Sequence, residues 1–157
     1  MSDIASRPFA PDDFAACLSI FDSNVPPFFD PSERPEFCAF LHGITADRTP
    51  YLVLLRNGIV VGCGGLIIDA DARQATLCWG MIHRACHGAG LGTALTRERL
   101  GLAAALPQVD EVVLATSQHT QQFYAGFGFG LRSVAPNGFG AGLDRWDMAL
   151  RLRPARR

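Results

Sequence analysis

Gly88, Gly90 and Gly92 alternate in the stretch His83-Arg-Ala-Cys-His-Gly-Ala-Gly-Leu-Gly-Thr-Ala-Leu95, where a strand pattern gives way to a helical one. Glycine admits positive φ and lets a ligand approach without a Cβ in the way. A helix start adds unpaired N–H groups and a partial positive charge. Together these make a pyrophosphate cradle built from backbone alone. The plain alternative is a flexible strand-to-helix turn. All 14 basic residues are arginine, so there is no lysine for a nucleotide-triphosphate loop, a Schiff base or a lysine general base. A dinucleotide fingerprint fails too: Thr93 stands where its third glycine belongs, and Asp110 and Glu111 precede the next strand instead of ending it.

Other reactive constellations are weaker. His83, Cys86 and His87 resemble a metal cluster, but glycine follows at once and no fourth ligand is suitably spaced, so no metal is expected. Ser117 lacks the nucleophile elbow of a serine hydrolase. Five cysteines at 17, 38, 63, 78 and 86 make no disulfide framework. Cys63 and Cys78 fall in apolar strands and read as small core residues, whereas Cys86 lies in the loop.

The elements that must position these groups follow from periodicity and punctuation. Ile4 to Arg7 reads as a strand, and Asp12 or Asp13 caps a helix ending near Asn24, ahead of Pro26 and Pro27. Pro31-Ser32-Glu33 opens a second helix that stops at Gly43. Tyr51 to Arg56, the Asn57-Gly58 turn and Ile59 to Asp69 form a hairpin, and Gln74 to His83 follows as a third strand. Gly62, Gly64 and Gly65 suggest a bulge or a close backbone approach. Leu91 to Leu106 is a helix with Leu91, Leu95, Leu100 and Leu102 available for packing. Glu111 to Ala115 is a buried strand, Thr120 to Ala125 a short helix, and Arg145 to Leu152 the last strand, with Gly138 to Asp144 left as a loop. This order is α+β, a meander followed by a β-α-β unit, in one domain over residues 1–157.

The hydrophobic fraction of 48% supports a core and excludes a disordered chain. A net charge of −1 argues against a nucleic-acid groove. The acidic N-terminal stretch lacks an apolar signal core and no apolar run reaches bilayer length, so a cytoplasmic location with no membrane partner is the expectation.

At this point the chain resembles a family. His87-Gly-x-Gly-x-Gly-x-x-Leu95, after Trp79-Gly-Met-Ile-His83, is similar to the acyl-CoA-binding motif of GNAT-type N-acyltransferases. Ser117-Gln-His-Thr-Gln-Gln-Phe-Tyr-Ala-Gly-Phe-Gly-Phe129 resembles the same family's helix ending in Phe-Tyr-x-x-x-Gly-Phe. His87 stands where the family has Gln or Arg, and Ser117 and Thr120 where it often has Asn and Ala. The resemblance implies a mixed, mostly antiparallel central sheet flanked by helices. It also implies acetyl-CoA as cosubstrate, a small-molecule or peptide amine as acceptor, and a homodimer.

Carried over residue by residue, it gives Met81, Ile82 and His83 backbone contacts to the pantetheine arm. The amides of Gly88, Ala89, Gly90, Leu91, Gly92 and Thr93 take the pyrophosphate. His87 either donates to a phosphate or stays a solvated loop residue. Tyr124 assists the leaving thiolate or packs as a core aromatic beside Phe123, and Ser117 is an accessory donor. Glu33, His83 and His119 are the candidate bases, with Glu33 equally able to serve as a first-turn dipole partner. Asn24, Phe28, Phe29 and Glu33 would meet the acceptor, together with the late loop and Trp146, although these aromatics could instead close the core or an interface. Besides direct acetyl transfer, a covalent route through Cys86 and a non-catalytic acyl-CoA-binding or sensing module are the other readings.

Overall fold

A computed structural model describes residues 3–26 and 28–153. Seven strands follow the hydrogen-bonded order β1-β2-β3-β4-β5-β7-β6: β1 (Ile4–Pro8), β2 (Tyr51–Arg56), β3 (Ile59–Asp69), β4 (Gln74–Ile82), β5 (Glu111–Thr116), β6 (Gly130–Gly140) and β7 (Leu143–Arg151). The helices are α1 (Phe14–Ser23), α2 (Arg34–His42), α3 (Leu91–Ala104) and α4 (Gln121–Ala125). β4 and β5 pair in parallel, while β1–β2, β2–β3, β5–β7 and β6–β7 pair antiparallel. This is the α+β class expected from the order of elements, with the mixed, mostly antiparallel sheet that the resemblance implies. The chain divides into two compact units, residues 1–67 with 77–102, and residues 68–76 with 103–157.

In the first unit the Asn57-Gly58 turn takes positive φ at both residues, 53° and 81°, as a two-residue hairpin needs. The core is aromatic: Phe21 stacks on Phe37 at 5.4 Å and on Phe29 at 5.0 Å, and Phe37 packs against Trp79 at 5.1 Å. Trp79 itself sits at φ 43°, an unusual backbone state for a bulky residue in the middle of a strand. Its carbonyl accepts a 2.6 Å hydrogen bond from the Tyr51 hydroxyl, and the rings of Phe29, Phe37 and Phe40 surround its indole. Burial holds the Tyr51 phenol well above its ordinary pKa, so it stays a donor. Tyr51→Phe should therefore lower unfolding free energy by about 1–2 kcal/mol, measured by urea denaturation, because the part-buried Trp79 carbonyl loses its donor.

Asp13 precedes α1 as expected, but its carboxylate reaches backwards, accepting from the Ala10 N–H at 2.8 Å and from both Arg7 terminal nitrogens at 2.7 and 2.9 Å. In the second unit Arg132 makes a two-pronged pair with Glu111, and Gln74 also donates to that carboxylate. Hydrogen bonding to Arg7 lowers the Asp13 pKa, and bonding to Arg132 lowers that of Glu111. A carboxylate depressed in the folded state stabilises it above the unfolded pKa, and that contribution is lost as pH falls through the folded value. The urea midpoint should then hold between pH 7 and 5 and fall steeply below about pH 4.

The second unit departs from expectation at its end. Residues 130–140, to which the sequence assigns no strand and of which 138–140 belong to the expected late loop, form strand β6, which pairs antiparallel with β7 from Gly130↔Ala149 to Gly140↔Leu143. Every residue of β6 is exposed, so no alternation of apolar and polar residues marks it, and register shifts around Arg132 and between Ala135 and Gly140 interrupt it further. The turn beyond is pinned rather than loose. Gln118 donates to the Gly142 carbonyl at 2.9 Å and accepts from the Asp144 N–H at 2.8 Å.

Candidate active site

The glycine loop lies in the first unit and is shaped by its backbone. Gly88 and Gly90 adopt φ of 82° and 77°, and a Cβ on either would meet nothing within 4 Å. Both are thus required by conformation and leave open space beside the chain. The Leu91 side chain is buried with Leu54, Val61, Ile82 and Leu95, which anchors the start of α3 to the core. The first helical hydrogen bond runs from Ala94 N–H to the Gly90 carbonyl. The amides of Leu91, Gly92 and Thr93 consequently have no acceptor within the helix. Exposed Ala89 lies between the two positive-φ glycines. An anionic phosphate chain fits such a set of donors on charge and on space.

The groups flanking the loop are tied down by hydrogen bonds that sequence did not disclose. The Ile82 carbonyl accepts from Asn24 Nδ2 at 2.9 Å and from His87 Nε2 at 2.8 Å. That bond makes Nε2 the protonated nitrogen of His87, which leaves Nδ1 as its remaining polar atom. Phe28 meets the same imidazole edge-on at 5.2 Å. His83 donates its N–H to the Val61 carbonyl, and its Nδ1 accepts from the Ala85 N–H at 3.1 Å. Of the three residues expected to offer backbone to a pantetheine arm, the Ile82 carbonyl and the His83 N–H are thus engaged internally, and the Met81 side chain is in the aromatic core. Arg84, not singled out from sequence, braces the loop onto the end of α1. Its side chain donates to the Pro26 carbonyl at 2.8 Å and its backbone N–H donates to Ser23 Oγ at 3.1 Å. Cys86 Sγ accepts from Arg56 at 3.4 Å.

The expected acceptor residues separate. Asn24 is buried, with Nδ2 shared between the Ile20 and Ile82 carbonyls and Oδ1 enclosed without a partner. Phe28 is 58% exposed, whereas Phe29 packs into the core on Phe21 and Trp79. Glu33 Oε2 accepts the Asp30 N–H at 2.8 Å while the Asp30 carboxylate accepts the Ser32 N–H, a reciprocal cap on the turn before α2.

The second unit carries the other motif. Tyr124, half-buried on α4, lies edge-on to Phe123 at 5.1 Å and to Phe129 at 6.0 Å. Ser117 follows the end of β5: its Oγ accepts the His119 N–H at 3.2 Å and its carbonyl accepts from the N–H groups of Thr120 and Gln121, the latter starting α4. Phe123 is 40% exposed and His119 is exposed. Among the described residues no group of three or more His, Cys, Asp or Glu is placed to hold a metal ion, and no helix is long and apolar enough to cross a membrane.

Comparison with known proteins bears on what this arrangement is for. Residues 14–129 match the family model described as the Acetyltransferase (GNAT) family. No curated protein matches the sequence at a significant level. Among solved structures, a GNAT-family protein from Desulfovibrio desulfuricans superposes with a TM-score of 0.83 at 20% identity, covering 96% of this chain and 100% of its own. The ribosomal-protein-S18-alanine N-acetyltransferase of Escherichia coli gives 0.79 at 18% identity, with 100% and 97% covered. A structure from Salmonella typhimurium that holds acetyl-CoA gives 0.79 at 20% identity, with 99% and 97% covered. At these identities the superpositions establish the shared fold, and the family match spans well over half of the sequence. The chain belongs to the GNAT acetyltransferase family.

Proposed function

We propose that this protein transfers the acetyl group of acetyl-CoA to an amine of a small molecule or peptide, by direct attack with both substrates bound. The observation that carries the reading is the loop, where Gly88 and Gly90 at positive φ open onto free space ahead of the amides of Leu91, Gly92 and Thr93, which have no acceptor within the helix. That cradle suits the pyrophosphate of coenzyme A, and the His87 Nε2–H is already spent on the Ile82 carbonyl. Acetyl-CoA supplies an activated thioester.

The amine attacks as the neutral base, its nitrogen bonding to the carbonyl carbon as the carbon–sulfur bond breaks, and the sulfur leaves as a thiolate. The Tyr124 phenol is the group assigned to donate a proton or hydrogen bond to that sulfur. Ser117 Oγ accepts from His119 and keeps its own proton for the pantetheine arm. Glu33 is held as a cap on the Asp30 N–H and His83 Nδ1 accepts from the Ala85 N–H, so both are the weaker base candidates, and exposed His119 is the better one. Phe28, exposed beside His87, supports an acceptor with an apolar portion, and buried Asn24 shapes that side of the loop from beneath. Phe29, built into the core, is left out of the acceptor wall.

The same reading includes a cytoplasmic setting, consistent with five free thiols, and a homodimer. Leu131, Val134 and Phe139 on exposed strand β6 are 52%, 39% and 46% accessible and support a contact between copies there. A thiol-release screen over a panel of amines tests the function. Amine-dependent release with a matching acetylated product is the expected outcome. Saturable binding of acetyl-CoA without turnover on any amine would make the protein an acyl-CoA sensor instead.

A further inference from the structure

Along the inward stripe of α3, Leu91 and Leu95 are followed one turn later by Arg99, at a position that helical periodicity fills with an aliphatic residue. Arg99 is only 3% exposed, and its Nε is enclosed with no hydrogen-bond partner. No ion pair among the described residues includes it. The side chain fits because two strand positions lack a Cβ. One added at Gly64 would stand 3.3 Å from Arg99 Cδ, and one added at Gly80 would stand 2.6 and 2.8 Å from its two Nη atoms. Gly80 itself is exposed and the Nη atoms beside it, unlike Nε, are not among the enclosed atoms without a partner, so they are the part of the guanidinium that faces a ligand.

An arginine does not surrender its charge, and a buried unpaired charge is among the most destabilising features a fold can carry. The two thiols on which its charge acts do not neutralise it. Burial pushes the Cys78 thiol up to about 12 and the Cys63 thiol well above its ordinary value, although the Arg99 charge acts on both in the opposite direction. Both therefore stand beside Arg99 as neutral thiols. Among the described residues none supplies the missing partner. A planar fork of N–H donors is matched best by an oxyanion held through two parallel bonds.

We propose that Arg99 is a binding residue for the acceptor, and that the amine acetylated by this protein carries a carboxylate, which Arg99 receives beside Gly80. The proposal rests on the acetyl-transfer reading above and gives it a substrate class: amino acids or peptides presenting a carboxylate near the reacting amine. The guanidinium is kept at a cost in stability because an aliphatic side chain there would fill the space without binding the substrate.

The test uses the Arg99 Nε–Hε resonance, identified by its disappearance in Arg99→Lys, in full-length protein titrated at constant ionic strength. Acetate should shift it saturably, both in free protein and in protein saturated with CoA, and acetamide should not. Arg99→Met should melt higher than wild type by about 3 °C, as expected when an unpaired buried charge is replaced by an apolar chain. It should bind acetyl-CoA within about threefold of wild type, since a lost side-chain contact to the donor would cost roughly tenfold or more. No saturable acetate shift, an equal shift with acetamide, a lower melting temperature in Arg99→Met, or a tenfold loss of acetyl-CoA affinity in that variant would each overturn the proposal. Failure of the acetyl-transfer reading looks different: wild-type protein would not bind acetyl-CoA, whatever acetate does to Arg99.

Discussion

Tyr124→Phe is expected to lower kcat for acetyl transfer by about 10²-fold, the lower end of what a positioned proton donor contributes. The affinity for acetyl-CoA should change little. The substitution removes one oxygen and keeps the ring, so the edge-on contacts to Phe123 and Phe129 that seat it on α4 persist. The thiolate would then leave without a nearby donor, and the loss should be largest for the donor with the most basic leaving thiol. Steady-state kinetics alongside a thermal melt separate this from unfolding. Unchanged kcat in a folded variant would remove Tyr124 from the mechanism and leave it an aromatic of the short helix.

Gly90→Val should raise the Kd for acetyl-CoA at least about tenfold, through backbone conformation and not through charge. A β-branched residue at the φ of 77° seen there is strained, by roughly 1–3 kcal/mol, and relieving that strain reorients the amides that follow. Gly101→Ala is the matching control. Gly101 lies within α3, has nothing within 4 Å of an added Cβ, and plays no part in the loop. That variant should bind as wild type does and gain about 0.5–1 kcal/mol of stability from helix propensity. Equal effects of the two substitutions, read by calorimetry, would mean that the loop's conformation is not what holds the donor.

What could be read from the chain alone depended on how local the determining physics was. The Asn57-Gly58 hairpin and the start of α3 just after Gly88 and Gly90 are settled by backbone preferences at the residues themselves, and both stand where their residues put them. Strand β6 was invisible because it is exposed on both faces and crowded with Gly130, Pro136, Asn137 and Gly138, which read as turn residues. Phe28 and Phe29 are neighbours with the same side chain, yet one is on the surface and the other in the core, a difference that only the packing around Phe21 and Trp79 decides. Glu33 and His87 are similar cases: both have the chemistry expected of them, and both spend part of it on the chain's own backbone. On α3 the apolar spacing pointed to Leu100 and Leu102, which are half-buried, while Arg99 and Ala103 turn fully inward. A charged residue on the buried stripe contradicts its own periodicity, which is why its position became evident only in three dimensions.

The absence of lysine leaves the backbone cradle at residues 88–93 as the feature on which the whole account depends. Calorimetric titration of the full-length protein with acetyl-CoA tests it most directly. The account predicts saturable binding of one acetyl-CoA per chain with a Kd in the micromolar range, about −8 kcal/mol, weakened by Gly90→Val and not by Gly101→Ala. Absence of saturable heat up to about 1 mM acetyl-CoA, an affinity no better than about −4 kcal/mol, would contradict it.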